Sequence, residues 1–257
     1  MIYHWLYDSF GVPGLVVATF AFSAALYFVL AGATYAAVFV WQRRRLVPDY
    51  RPADRDLRRE IGATMINLLG NCVLFLPIQL AIVFGYTQIY FTVEEYGWAY
   101  LAFSAVAALA FAETGIYWLH RALHTPYLFR HLHAHHHGYR TTTPFTSLAF
   151  HPVDGFVQSL PYHVFAFVVP INIWLYLVLV FATVIWSVKI HDRVRVLPFD
   201  FINHTGCHTL HHLRCAYNLG QYFTFWDRWC GTYRDPAVEL PDEFRASKVP
   251  LIGRARG

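Results

Sequence analysis

Charge is what this chain has least of. Only 14% of its 257 residues are Asp, Glu, Lys or Arg, where ordinary soluble domains carry about 25%. A soluble globular domain is excluded on that ground. Disorder is excluded by the opposite surplus, because 56% of the residues are hydrophobic and 18% aromatic, more apolar surface than a solvated coil carries. A net charge of +4 with no basic stretch beside a reading motif excludes nucleic acid as a partner. The four cysteines (Cys72, Cys207, Cys215 and Cys230) lack C-x-x-C spacing, so they indicate packing rather than a thiolate metal site or a disulfide framework. The first residues lack the basic region of a secretory signal peptide. Repeats, low-complexity tracts, haem-attachment motifs and flavin motifs are also missing. What remains is a membrane protein.

Residues 9–42, 61–93 and 155–188 contain no charged side chain. A helix crosses a bilayer core of roughly 30 Å with about 20 apolar residues, so the first two stretches each predict one transmembrane helix. A third is expected from Tyr96 to His120, apolar except for Glu113. Pro161 and Pro170 are expected to break the 155–188 stretch into two shorter helices. About 34 residues at roughly 1.5 Å rise reach about 51 Å, short of the roughly 60 Å that two full crossings need. The expectation is a helical hairpin of open depth that enters the membrane and returns to the same face. The alternative, one long tilted helix, would put its ends on opposite faces. Phe165, Phe167 and Trp174 are candidates for the hairpin wall or for plain core packing.

The loop at 43–60 carries Arg43, Arg44, Arg45, Arg51, Arg55, Arg58 and Arg59, while the N-terminus and the Glu94–Glu95 loop carry neither Lys nor Arg. The positive-inside tendency puts the arginine loop in the cytoplasm. The fold class predicted is an all-α integral membrane protein of a single domain, residues 1–257. About three transmembrane helices and a membrane hairpin are capped by a cytoplasmic, histidine-rich helical di-metal part made of 120–154 and 189–232, and residues 233–257 form a polar tail.

Histidine is the surplus. Fifteen are present, and their spacing carries the signal. His120 and His124 stand in H-R-A-L-H, His133, His136 and His137 in H-A-H-H-H, and His208, His211 and His212 in H-T-L-H-H. Residues three and four apart share one helix face, so each cluster can aim two or three imidazoles at one point, and imidazole is the commonest metal-ligating side chain. Eight such histidines, with His191 and His151 nearby, exceed what one ion takes, and two ions are the economical reading. His131 and His135 offer a competing register. Pro126 favours the other trio, since it interrupts the helix and pushes Thr125 out of helical geometry. His204, four residues before His208, is a further possible ligand, and His163 inside the hairpin reads more readily as a hydrogen-bonded polar group.

Glu113, Tyr117, His120 and His124 lie on one face of one helix. An ionisable group at membrane depth is a functional hypothesis by default. Glu113, and Asp192 beside His191, are therefore candidates for orienting a histidine, and Asn203 joins Tyr117 among the residues expected near the substrate or behind the ligands. Arg121 and Arg214 read as surface or donor-docking charges.

These motifs resemble the sterol desaturase and fatty acid hydroxylase superfamily. The resemblance runs through G-I-Y-W-L-H-R-A-L-H from Gly115, F-H-P-V-D-G from Phe150, I-H-D from Ile190 and C-H-T-L-H-H from Cys207. Q-S-L-P-Y-H from Gln158 and Y-N-L-G-Q-Y-F-T-F-W-D-R from Tyr217 point within it to the sterol C-5 desaturases. The resemblance implies two iron ions, zinc being able to replace them in a purified protein, with O2 as oxidant. It implies a lipid or sterol substrate drawn from the bilayer, and electrons from an external donor of cytochrome b5-like or ferredoxin-like type with its reductase. By motif position His120, His124, His133, His136, His137, His191, His208, His211 and His212 would be ligands, with His151 as the tenth or a close neighbour. The site would face the cytoplasm, at the endoplasmic reticulum in a eukaryote or the inner membrane in a bacterium. Three positions depart from the pattern. Arg193 and His204 stand where glycine is expected, and Arg214-Cys215 replace an aromatic pair.

The activity so implied is removal of two hydrogens from C5 and C6 of a Δ7-sterol. A hydroxylase of the same superfamily acting on another lipid is the nearest alternative. A divalent-metal transporter is the distant one, because it needs coordinating side chains along its crossings and Asn67, Asn71 and Gln79 are the only carboxamides offered within the first two helices.

Overall fold

A computed structural model describes residues 2–48, 50 and 54–241. Arg51, the side chain of Arg55 and the tail from residue 242 lie outside the described residues. Helix α1 (Ile2–Tyr35) runs on through a π-helical turn, Ala36–Trp41, and is interrupted once at Gly11, whose φ of 62° few residues but glycine accept. After the short α2 (Arg43–Leu46), α3 (Asp54–Leu74) and α4 (Leu76–Val83) make the second apolar segment. The segment bends by 44° between them, where Pro77 has no N–H to continue the helical ladder. The third long helix, α5, spans Gly97–Leu123. Thr125 is extended, as the following proline requires, and the short α6 (Pro126–Leu128), a π-helical turn (Phe129–His133) and α7 (Ala134–His137) follow.

The hairpin is α8 (Pro152–Val168) and α9 (Ile173–His191). Pro161 does not break it. It lies inside α8, packed on Gly115 of α5, where an added Cβ would fall 2.7 Å from the proline ring. The break occurs only at residues 169–172, beside Pro170. The tip also reaches further than the length argument required. Strand β1 (Ile89–Tyr90), in the loop before α5, pairs in parallel with β2 (Ile171–Asn172) in the hairpin turn. The tip therefore sits level with the turn between the second and third crossings.

Among the described residues three helices, His4–Trp41, Gly97–Leu123 and Ile173–His191, are long and apolar enough to cross a membrane, and the bent α3–α4 pair makes up to four. Their opposite end carries the remaining elements α10 (Thr205–Arg214), α11 (Phe225–Trp229) and α12 (Pro236–Glu239). Val38, Phe39, Leu46, Val47 and Tyr50 pack with Val194, two residues past Asp192, so the arginine loop and the histidine-rich part share one end of the bundle. Glu60 reinforces this. Buried on α3, it accepts hydrogen bonds from the hydroxyls of Thr143 and Thr146 at 2.6 and 2.9 Å, which lets the polar segment 141–147 run through the interior.

Candidate metal centre

Nine histidines converge at that end in two groups: His120, His124, His133, His137 and His211, then His136, His191, His208 and His212. Within each group the facing nitrogens lie within 4.8 Å of one another. Four separate segments supply them. The last turn of α5 gives His120, with His124 as its C-cap. The π-helical turn and α7 give the next three, the end of α9 gives His191, and α10 gives the last three. The groups interlock, since His136 and His137 are chain neighbours that face different groups, as are His211 and His212.

The close approaches fit a cation. Nε2 of His133 lies 3.1 Å from Nε2 of both His120 and His137, and Nε2 of His208 lies 2.9 and 3.1 Å from those of His191 and His212. Several ring nitrogens crowded at such distances cannot all be satisfied by one another's protons, since a neutral imidazole has one donor and one acceptor. Nε2 of His211 and Nδ1 of His136 and His212 are buried without any partner, a state that normally marks an absent ion or water. Burial, reinforced by the neighbouring rings, pushes the imidazoles of His136, His208, His211 and His212 well below their ordinary pKa. They are held in the neutral form that ligates metal.

Outward-facing nitrogens are fixed by the frame. Nδ1 donates to the Leu219 carbonyl from His120, to Ser187 from His191 and to Tyr217 from His211, at 2.7–2.8 Å. Nδ1 of His133 meets a carboxylate instead, Asp154 Oδ2 at 2.7 Å, and Nδ1 of His137 lies 3.5 Å from the Cys215 thiol. The Leu219 carbonyl is itself held in place, because buried Asp227 accepts the N–H groups of Leu219 and Gly220 at 2.8 Å each.

His151 does not join either group. It is exposed at the N-cap of α8, where its Nδ1 accepts the Val153 N–H at 3.2 Å. The Pro152 that follows starts a helix running away from the centre, so sequence proximity to the cluster does not translate into reach. His204 is the N-cap of α10, accepting from the Gly206 N–H at 3.0 Å, and burial lowers its pKa to about 4. His131 and His135 are exposed, and His163 pairs with the Tyr176 hydroxyl at 2.6 Å inside the hairpin.

The carboxylates are redistributed as well. Glu113 touches no histidine and instead accepts the N–H groups of Tyr222 and Phe223 at 2.9 and 3.2 Å. Asp192 pairs with Lys189 and accepts the Val194 N–H, and burial lifts its pKa to about 6 against the pull of that lysine. Tyr117 shares a hydrogen bond with Thr232 and accepts one from Arg121, while Asn203 donates to the Gly220 carbonyl. Trp174 is 62% exposed and Phe165 buried, so only the latter belongs to the hairpin core. Sequence reasoning missed Asp154, Asp227 and Glu60 as framing carboxylates. The signal for Asp154 lay in H-P-V-D-G, where it opens the helix after a helix-starting proline.

The fatty acid hydroxylase family profile matches residues 105–232, the stretch that supplies every histidine of both groups. A Delta(7)-sterol 5(6)-desaturase of Gibberella zeae is 37% identical over 238 residues, covering 91% of this chain and 72% of that protein. The chain belongs to the sterol desaturase and fatty acid hydroxylase family. Within that family, the lathosterol oxidase of Rattus norvegicus is 38% identical over 87% of this chain and 75% of its own, and a Delta(7)-sterol 5(6)-desaturase of Schizosaccharomyces pombe is 39% identical over 91% and 71%. No solved structure matches. Membership makes the chain an oxidoreductase, and two positions where the resemblance implies glycine are accommodated by the local backbone. Arg193 holds the left-handed backbone, φ 62°, that its expected glycine would adopt, and His204 caps α10 from ordinary extended backbone.

Proposed function

We propose that the protein is a membrane-bound, O2-dependent di-iron desaturase that introduces a C5–C6 double bond into a Δ7-sterol. The observation carrying this reading is the pair of converging imidazole groups, all but the half-buried His124 shielded from water, at one end of an apolar bundle. His120, His124, His133, His137 and His211 would hold one iron, and His136, His191, His208 and His212 the other. The names of the similar proteins supply the sterol and the 5(6) position.

Zinc is redox-inert, whereas iron with O2 supplies an oxidant strong enough for an unactivated C–H bond. The balance is two hydrogens removed from the sterol, two electrons and two protons delivered from outside, and O2 reduced to two waters. The residues of this chain exclude water and set the geometry. Ala112, Ile116 and Tyr162 with Leu179 and Val180 make a packed apolar core where α5 meets the hairpin, and a rigid apolar substrate would reach the histidines from the bilayer beside it. The arginine loop at the same end supports a cytoplasmic site, accessible to an acidic or soluble electron donor.

Anaerobic purification with metal analysis, followed by turnover of a Δ7-sterol with a reductase system, tests the reading. The expected result is two irons per chain and a product lighter by two hydrogens. A product heavier by one oxygen would instead establish the hydroxylase alternative. Asn67, Asn71 and Gln79 are engaged with Leu148, one another and Thr19 rather than lining a path, which weighs against transport.

A further inference from the structure

His133 is at the centre of the five-histidine group, 3.1 Å from both His120 and His137, and is fully buried. Its outward Nδ1 meets Asp154, also fully buried, at 2.7 Å. The second oxygen of that carboxylate accepts a hydrogen bond from Gln158 Nε2, 2.7 Å away and one turn along α8. Asp154 lies in the first turn of α8, where the free N–H ends of a helix favour an anion. Among the described residues this is the one ion-pair contact between a carboxylate and any of the nine histidines. The other outward partners on view are backbone carbonyls and a thiol.

Resting on the di-metal reading above, we propose that Asp154 is a positioning residue that sets the donor strength of His133 and makes the two halves of the centre unequal. A carboxylate opposite Nδ1 keeps the proton on that nitrogen and aims the Nε2 lone pair into the group. It also makes the imidazole more electron-rich than a carbonyl partner does. The five-histidine group is therefore the tighter and more electron-rich site, and the four-histidine group, with its Ser187 carbonyl partner, is the weaker.

The test is titration of the metal-free full chain in detergent with Co2+, followed by Mössbauer spectra of protein loaded with 57Fe. Unsubstituted protein is expected to bind two ions in two affinity classes. Asp154→Asn keeps the shape and one acceptor oxygen, and should weaken one class by about 10–100-fold, leave the other, and shift one iron doublet only. Gln158→Leu, which removes one hydrogen bond from the carboxylate while keeping its charge, should shift the same class alone, and serves if the first variant misfolds. A purely structural Asp154 would lower both classes together. Equal loss at both sites, or loss at neither, overturns the inference while sparing the proposed function. Failure of the unsubstituted protein to bind two ions overturns both.

Discussion

Glu113 offers the sharpest check on how the centre is held. Its two carboxylate oxygens accept the N–H groups of Tyr222 and Phe223 from within α5, and the residue is 4% exposed. Those bonds pin the 219–223 segment, whose Leu219 carbonyl orients His120. Glu113→Ala orphans both N–H groups. Each buried, unsatisfied donor costs about 1–3 kcal/mol, so the pair costs about 2–6 kcal/mol before any cavity is counted. That is a large part of the roughly 5–15 kcal/mol typical of a folded domain. Glu113→Gln retains one acceptor oxygen but turns an amide toward the other N–H, and should cost about half as much. Thermal unfolding in detergent reads the stability order, and hydrogen exchange at Tyr222 and Phe223 reads the cause. Both variants should speed exchange at those two amides while leaving the β1–β2 pairing at the far end protected. Unchanged exchange in Glu113→Ala would refute the claim that this carboxylate holds the segment.

Two other outcomes follow from the same geometry. His208→Ala and His133→Ala should each abolish turnover and lower bound metal, whereas His131→Ala and His151→Ala should do neither, since both rings are exposed and outside the groups; metal loss in His151→Ala would mean that α8 begins closer to the centre than it does here. The metal-free protein should also be acid-sensitive. His136, His137, His208, His211 and His212 are buried with pKa values lowered in the folded state, so only the unfolded chain takes up protons as pH falls below about 6.5, and stability is lost in that direction. All five act in the same direction, so the loss accumulates over them. The melting temperature of metal-free protein should therefore fall steeply between pH 7.5 and 5.5, and bound metal should suppress the fall. An apo melting temperature flat over that range would contradict it.

Some of this was written in the order of residues alone. Charge-free stretches of bilayer length demand apolar helices, because water cannot satisfy a backbone inside lipid, and three long helices follow. The four-residue spacings are local and lie on one helix face, so the meetings of His120 with His124, His133 with His137 and His208 with His212 needed only helical geometry, whereas His136 and His211 leave their own trios for the opposite group. Pro126 restarting the register, which leaves His131 and His135 at the surface, is equally local.

Other features depend on contacts across many residues. The separation of nine histidines into a five and a four, with chain neighbours such as His136 and His137 facing different groups, is decided by where α10 lands against α7 and α9. The same holds for the carboxylates. Asp154, not Glu113 or Asp192, reaches a histidine because α8 is wedged against α3 and α5 at Gly70, Gly115 and Gly155, where added Cβ atoms would collide. His151 shows the limit most plainly. It stands three residues from Asp154 in the sequence, yet an exposed cap position turns it outward while the helix carries its neighbour inward. The sequence determined which side chains could bind metal and that apolar helices of membrane-crossing length would carry them. Only the packed helices decided which nitrogen meets which partner, because that choice depends on distances between segments far apart in the chain.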